Sequence, residues 1–321
     1  MKKMIVATTI ACMALCVFAG KKGETKVDSI VYDQGMQWRI FSSPQPVKSF
    51  ALQKDVLWFV TESSLHAMNM TRNADAQEYK TIAAIPSTEI TACACDHAGN
   101  VWIGTKSGLA LKTKDGFKVF TKENGLPGNA VNTVLPLKTG KIWVGTDDGA
   151  CVYQAGAWTS YTTDKGLCGG KVRAIAVDND NTVWFGTDKG ICALVGAMWT
   201  THSMKTGLSW NDAKALACDP KTGIIWAAVG DKDVNSYNGK EWKVYMDVAE
   251  GIKCIMIDTQ SRIWVSTASG LAKFNGDEWV TEQQQIGIPA NQVSQMSRDD
   301  QGNLWFGMEK GVLRLANPYP Y

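Results

Sequence analysis

A tryptophan that returns about every forty residues, seven times over, predicts an all-β fold closed into a seven-bladed β-propeller. Trp58, Trp102, Trp143, Trp184, Trp226, Trp264 and Trp305 are spaced by 44, 41, 41, 42, 38 and 41 residues. Each sits in a short apolar run between polar turns, as in "TGKIWVGTDDGACVY" and "DNDNTVWFGTDKGICAL". A second aromatic series lies out of phase with the first: Trp38, Tyr79, Phe117, Trp158, Trp199, Trp242 and Trp279. A period near forty with several short strands per unit is a propeller signature. The seven repeats are called blades 1 to 7 in chain order, from Trp58 to Trp305.

Within a blade four strands are expected, a to d. In blade 3 they are placed over 130–135, 141–146, 150–154 and 157–162. The tight turn between strands a and b is Asp-x-x-Gly in several blades, as at Asp96 to Gly99 and Asp299 to Gly302. Aspartate can bond its own backbone there and glycine takes positive φ. A calcium reading is weaker, because one carboxylate per isolated hairpin falls far short of the roughly six to eight oxygens calcium takes. The repeated tryptophans are expected between blades, where a large flat side chain fills the gap that widens away from the axis.

The two series are offset by one. Nothing of the second series follows Trp305, whereas Trp38 precedes every repeat. The segment 36–41 is therefore expected to supply the last strand of blade 7, so that the two ends of the chain close the ring. Such closure leaves no unfinished sheet edge and ties down the termini.

The N-terminus reads as an export signal. Lys2 and Lys3 precede an uncharged, mostly apolar run from Met4 to Phe18, and Val17-Phe18-Ala19 suits cleavage after Ala19. An uncleaved anchor is the alternative, but the run is short against a bilayer span of about 20 residues. Lipidation would need Cys12 or Cys16, and the residues before them suit that site poorly. The expected organisation is a signal peptide at 1–19, a polar linker at 20–35, the propeller at 36–316 and a tail at 317–321. The expected location is periplasmic or secreted, with no transmembrane span after the signal.

Charge narrows the partners. The chain has 33 basic and 31 acidic residues. Cleavage after Ala19 removes two lysines and leaves 31 of each. No basic run exceeds a pair, so nucleic acid is not an expected partner. Seven cysteines lie beyond the signal: Cys93, Cys95, Cys151, Cys168, Cys192, Cys218 and Cys254. The odd number fits a disulfide framework poorly. Most stand where other repeats have Ala, Val or Ile, so they read as small buried hydrophobes, without zinc.

The stretch "GLPGNAVNTVLPLKTGKIWVGTDDGACVY" resembles the two-component regulator propeller repeat. The matching stretches are Gly125 to Gly149, Gly166 to Gly190 and Ile288 to Gly311, and some copy of the pattern covers 47–315. Family members are often the extracytoplasmic sensor part of regulators. The resemblance therefore implies the propeller fold and an extracytoplasmic compartment. It does not imply a receptor role, since fold alone does not give function.

The chemistry-bearing residues point to binding. His66, His97 and His202 fall in different blades, on a strand c, an a–b turn and the end of a strand d. No nucleophile elbow and no phosphate-cradling loop occurs. No catalytic residue, cofactor or metal site is assigned. In a propeller the b–c turns and d–a loops share one face. That face gathers Asp147, Asp148, Asp188, Asp231 and Glu309, interleaved with Lys106, Lys189, Lys232 and Lys310. It also gathers Trp210 and Asn211, from the d–a loop "GLSWNDAKAL", where the preceding repeat has small residues. Trp210, Asn211, Asp147, Asp148, Asp188 and Lys189 form the candidate recognition surface, with the Trp210 loop expected beside the Asp188 turn. An aromatic plane next to carboxylates suits a glycan or another ligand with apolar and polar parts. Trp210 as a lid over its own blade is the competing reading. The expected function is non-catalytic capture of a ligand, glycan or envelope protein. A structural scaffold in an envelope complex is the alternative, and a propeller lyase or hydrolase comes last.

Overall fold

The computed structural model describes residues 27–33, 36–43, 45–62, 64–70, 77–79, 85–281 and 293–316. The expected signal segment and tail lie outside them. The strands form seven antiparallel sheets, six of four strands and one of five. Blade 3 runs a to d as Val131–Pro136, Ile142–Thr146, Gly149–Gln154 and Ala157–Tyr161, each strand paired with the next. The chain is a seven-bladed β-propeller.

Closure follows the expected route. Met36–Ser42 pairs with Gly311–Leu315, strand c of blade 7, with Trp38 opposite Leu315 and Ser42 opposite Gly311. Val27–Asp33 lies within the stretch expected as a polar linker. It pairs along the outside of Met36–Ser42, with Val31 opposite Trp38, and gives this blade a fifth strand.

Seven apolar clusters hold the ring, one at each seam between blades. Trp102 of blade 2 packs with Val131, Val144 and Cys151 of blade 3. Trp305 of blade 7 packs with Phe50, Leu57 and Phe59 of blade 1. All seven strand-b tryptophans are buried, at 7% exposure or less. Burying an aromatic removes roughly 150–250 Å² from water, so these repeated rings carry much of the fold's hydrophobic stabilisation.

The repeat motif has a physical reason at each position. A Cβ on Gly145 would sit 2.7 Å from Val172 Cγ1 of the next blade, so glycine lets neighbouring blades approach. Thr146 Oγ1 donates to the carbonyl of Gly149 (2.9 Å) and accepts from the N–H of Asp148 (3.2 Å), which fixes the b–c turn. Thr105, Thr187 and Thr267 do the same. Gly149 takes φ +143°, where any side chain would be strained.

The aspartates that open the a–b turns do more than make turns. Asp96 Oδ1 accepts the N–H of Asn100 (2.9 Å), while its Oδ2 accepts Nε1 of the buried Trp102 (2.9 Å). Asp178, Asp258 and Asp299 hold Trp184, Trp264 and Trp305 in the same way, at 2.8, 3.0 and 2.9 Å. In blade 3 Leu137 stands at the aspartate position, and Trp143 Nε1 is buried without a partner.

Two expectations need correction. Tyr79 pairs with Leu65, the register place that Tyr161 holds opposite Ala150, so it is not the counterpart of Trp158, which lies opposite Tyr153. Counting back three residues puts Ala76 at the tryptophan position of blade 1, outside the described residues. The cysteines are not all free thiols either, because Cys168 and Cys192 form a disulfide. It fastens the d–a loop leading into blade 4 to strand c of that blade. Blade 5 makes the equivalent tether with hydrogen bonds: Asn235 Oδ1 accepts the N–H of Ser209 (3.0 Å), and Asn235 Nδ2 donates to Ser209 Oγ (3.1 Å). Cys93, Cys95, Cys151, Cys218 and Cys254 are free. Burial raises all five thiols, Cys95 to about 12 and Cys218 and Cys254 to about 11, so they are unreactive at neutral pH.

Candidate functional site

Strand a pairs with strand b of its own blade, so each d–a loop arrives beside the b–c turn of the blade it enters. This sets the neighbours of every residue on that face. Gly128 lies against Asp148, Gly169 against Thr187 and Asp188, and Trp210 against Gly230. Trp210 therefore flanks the b–c turn of blade 5 and not, as expected from sequence, the Asp188 turn of blade 4. A Cβ on Gly230 would fall 2.6 Å from Trp210 Cδ1, so the indole rests directly on that glycine. Its other side is open, and the side chain is 54% exposed.

Asn211 has an internal role. Its Oδ1 accepts the N–H of Met204 (2.8 Å), as Asn129 Oδ1 accepts that of Lys122 in the loop entering blade 3 (2.7 Å). It shapes the short 3-10 turn Met204–Thr206, which presents Met204 to solvent at 53% exposure. The next loop, entering blade 6, is bonded to the far side of the blade 5 turn. The N–H of Val248 reaches the carbonyl of Lys232 (3.0 Å), and the N–H of Asp247 reaches Asp233 Oδ1 (3.0 Å). That loop carries Met246, 70% exposed. Trp210 and Met204, on the loop entering blade 5, and Met246, on the loop entering blade 6, thus present exposed apolar side chains on the two loops bonded to or resting on this b–c turn.

The charged residues form a chain of pairs across blades 2 to 6. Lys106 Nζ donates to Asn132 Oδ1 (3.4 Å), and Asn132 Nδ2 donates to Asp147 Oδ1 (2.8 Å). Lys171 Nζ meets Asp147 at 3.3 Å, and Arg173 pairs with Asp212. Lys214 pairs with Asp231 at 2.9 Å, and Lys232 with Glu250 at 3.2 Å. Burial pushes the Asp147 carboxyl up, but the Asn132 and Lys171 hydrogen bonds and the charges of Lys171 and Lys106 outweigh it and hold it below its ordinary value. Asp188 accepts the N–H of Lys171 (3.2 Å), and the N–H of Lys189 is held by Thr187 (3.1 Å). The structure brings Asp147, Asp148, Asp188 and Lys189 together on blades 3 and 4, and puts Trp210 and Asn211 at blade 5. Sequence reading missed Lys171, Arg173, Asp212 and Lys214. A signal existed: Asn132, Arg173 and Lys214 recur at intervals of 41, one residue after the first apolar residue of strand a.

The histidines are scattered. His66 stacks on Phe59, with ring centroids 4.6 Å apart. His202 Nδ1 accepts from Trp242 Nε1 (3.2 Å), and burial lowers its pKa. His97 lies in the a–b turn of blade 2, on the other face of the ring. Among the described residues no cluster of three or more His, Cys, Asp or Glu could hold a metal.

Four segments, 84–107, 125–148, 166–189 and 287–310, match the two component regulator propeller family. They fall in blades 2, 3, 4 and 7, and each ends in a b–c turn. The chain carries two-component regulator propeller repeats. The loop bearing Trp210 lies outside all four matched segments. Among solved structures the propeller is similar to one described as the extracellular domain of a hybrid two component system from B. thetaiotaomicron, at 22% identity and TM-score 0.70, over 85% of this chain and 39% of that one. It is also similar to the extracellular domain of a one component system from the same organism, at 18% identity and TM-score 0.69, over 91% and 40% of the two chains. A third similar structure is a catalytically inactive virginiamycin B lyase from Staphylococcus aureus with Quinupristin, at 14% identity and TM-score 0.71, over 88% and 99%. These likenesses are of fold. The chain spans about two fifths of the length of the first two. No curated protein matches it.

Proposed function

We propose that this propeller is an extracytoplasmic, sensor-like recognition module that acts without chemistry of its own. Its d–a face captures a glycan or the surface of an envelope protein. The observation that carries the reading is Trp210, a half-exposed indole seated on Gly230, with Met204 exposed on the same loop and Met246 on the next. A flat aromatic with one open face, framed by the Arg173–Asp212 and Lys214–Asp231 pairs, offers stacking at its centre and hydrogen bonds at its edge. The compartment rests on three supports: the signal-like N-terminus, the extracellular domains among the similar structures, and the Cys168–Cys192 disulfide, since disulfides persist mainly in oxidising compartments. Among the described residues no helix is long and apolar enough to cross a membrane.

The test is Trp210→Ala, read by thermal unfolding and by capture on a glycan array and from a native envelope fraction. The indole is already about half exposed, so its burial contributes at most about 2 kcal/mol. The reading expects lost capture with a small change in stability. A loss of about 3 kcal/mol or more with capture intact marks Trp210 as a lid and ends this proposal.

A further inference from the structure

One backbone hydrogen bond recurs where a d–a loop meets the b–c turn of the blade it enters. In blade 2 the N–H of Lys106 reaches the carbonyl of Glu89 (3.1 Å), in blade 3 that of Asp147 reaches Ala130 (3.0 Å), and in blade 4 that of Asp188 reaches Lys171 (3.2 Å). In blade 5 the donor is Gly230, to Asp212 (2.8 Å), and in blade 6 it is Ala268, to Glu250 (2.8 Å). The bond marks the same turn place in these blades. That place carries a charged side chain in blades 2 to 4 and none in blades 5 and 6. The loop changes with the turn. Trp210 stands where the loops entering blades 3 and 4 have Gly128 and Gly169. In those two blades the loop glycine leaves room for the side chains of the turn, Asp148 and Asp188. In blade 5 the exchange is reversed, and a turn glycine leaves room for the indole of the loop. A Cβ on Gly230 would meet that ring at 2.6 Å, so an aspartate at this place and the seated indole exclude one another.

The exchange puts apolar surface where the neighbouring blades have charge. Among the described residues, the exposed large apolar side chains on the loops and turns of the d–a face are Met204, Trp210 and Met246. Polar groups beside them are spent inside the protein. Asn211 Oδ1 holds the N–H of Met204, and Asn235 is bonded to Ser209 through both Oδ1 and Nδ2. Asp212 pairs with Arg173, Asp231 with Lys214, and both Glu250 and Asp247 with Lys232. A sugar carries hydroxyls around its ring, and a polar group buried without a partner costs about 1–3 kcal/mol. An apolar partner meets no such cost here. Unbranched thioether side chains adapt to the shape of an apolar partner, and tryptophan is enriched among the anchors of protein interfaces.

We propose that the partner of the blade 5 corner is a protein that lays an uncharged, apolar segment across Trp210, Met204 and Met246, a choice between protein and sugar that rests on the d–a face being the recognition surface. Contact with the indole and the two thioethers supplies the affinity. The ion pairs around them stay closed on themselves and form the rim.

Panning a display library of random dodecamer peptides on the full chain, with a glycan array probed in parallel, tests it. Enriched peptides carry several large apolar residues and no charge among them. As synthetic peptides they bind the parent at least about tenfold tighter than Trp210→Ala and than the double variant Met204→Ser with Met246→Ser. Both methionines are exposed, so the double variant keeps its unfolding midpoint and remains a fair test should Trp210→Ala fail to fold. Lys205→Gln, or salt raised from about 0.05 to about 0.5 M, changes peptide binding by no more than about twofold. Enrichment of no peptide, peptides whose binding survives loss of both methionines, or charged peptides released by salt overturn the proposal. Sugars held through Trp210 with no peptide enriched overturn it while leaving the d–a face as the recognition surface, and neither sugars nor peptides held through Trp210 overturns both.

Discussion

Replacing Asp96 by alanine isolates what the turn aspartates contribute. Asp96 accepts three hydrogen bonds: the N–H of Asn100, Asn100 Nδ2 and Nε1 of Trp102, all at 2.9 Å. Trp102 is 2% exposed, so its indole N–H cannot turn to water when the carboxylate is removed. A buried donor left unsatisfied costs about 1–3 kcal/mol, and losing the turn bond adds about 1 kcal/mol. Asp96→Ala should therefore lower stability by about 3 kcal/mol in urea unfolding, with an unchanged m value. Asp96→Asn, which keeps one acceptor, should cost less. Blade 3 supplies an internal control, because Trp143 Nε1 already lacks a partner. Trp143→Phe should then cost about 1–2 kcal/mol less than Trp102→Phe, which strands the Asp96 carboxylate. Equal costs for the two tryptophan changes, or a loss below about 1 kcal/mol for Asp96→Ala, would refute the pairing as a source of stability.

Two other expectations concern the cysteines and pH. Cys168 and Cys192 are 24 residues apart, and a crosslink closing such a loop stabilises by about 3 kcal/mol on the chain-entropy account. Cys168→Ser with Cys192→Ser should lower the unfolding midpoint, and reductant should lower that of the parent but not of the double variant. His202 is held neutral by burial, which depresses its folded pKa below its unfolded value. Its contribution is thus present above the unfolded pKa, near 6.5, and is lost as pH falls below that toward the folded value. His202→Tyr, the residue found at this register place in Tyr161 and Tyr245, should flatten the stability profile below about pH 6.5. An unchanged slope would remove His202 as its cause.

Much of the fold was legible because the repeat writes it out. Trp143 and its counterparts mark strand b, Gly149 marks the b–c turn, and the unpaired Trp38 announces the closure. Features that depend on register between segments were not legible. Tyr79 was placed one series away from its true neighbours, since the spacing of strand d is altered in blade 1. The Cys168–Cys192 bond joins a loop to a strand whose alignment sequence alone does not fix, and the odd cysteine count pointed away from it. The candidate surface was found in outline, because d–a loops and b–c turns must share a face. Its detail was missed for one reason: a d–a loop lies against the turn of the blade it enters, which moves Trp210 from Asp188 to Gly230. Met204 and Met246 carried no signal, as exposure cannot be read from a lone methionine in a loop.

The central claim is that the blade 5 corner of the d–a face is where a partner binds. Photo-crosslinking tests it most directly, with benzoylphenylalanine placed in the native host at 210 and 246 and, as exposed controls, at 119 and 198. Val119 lies on strand d of blade 2, away from that corner, and Met198 begins strand d of blade 4 at the opposite face. The account predicts one and the same adduct from 210 and 246 and none from 119 or 198. No adduct from 210 and 246, or the same adduct from all four positions, would contradict it.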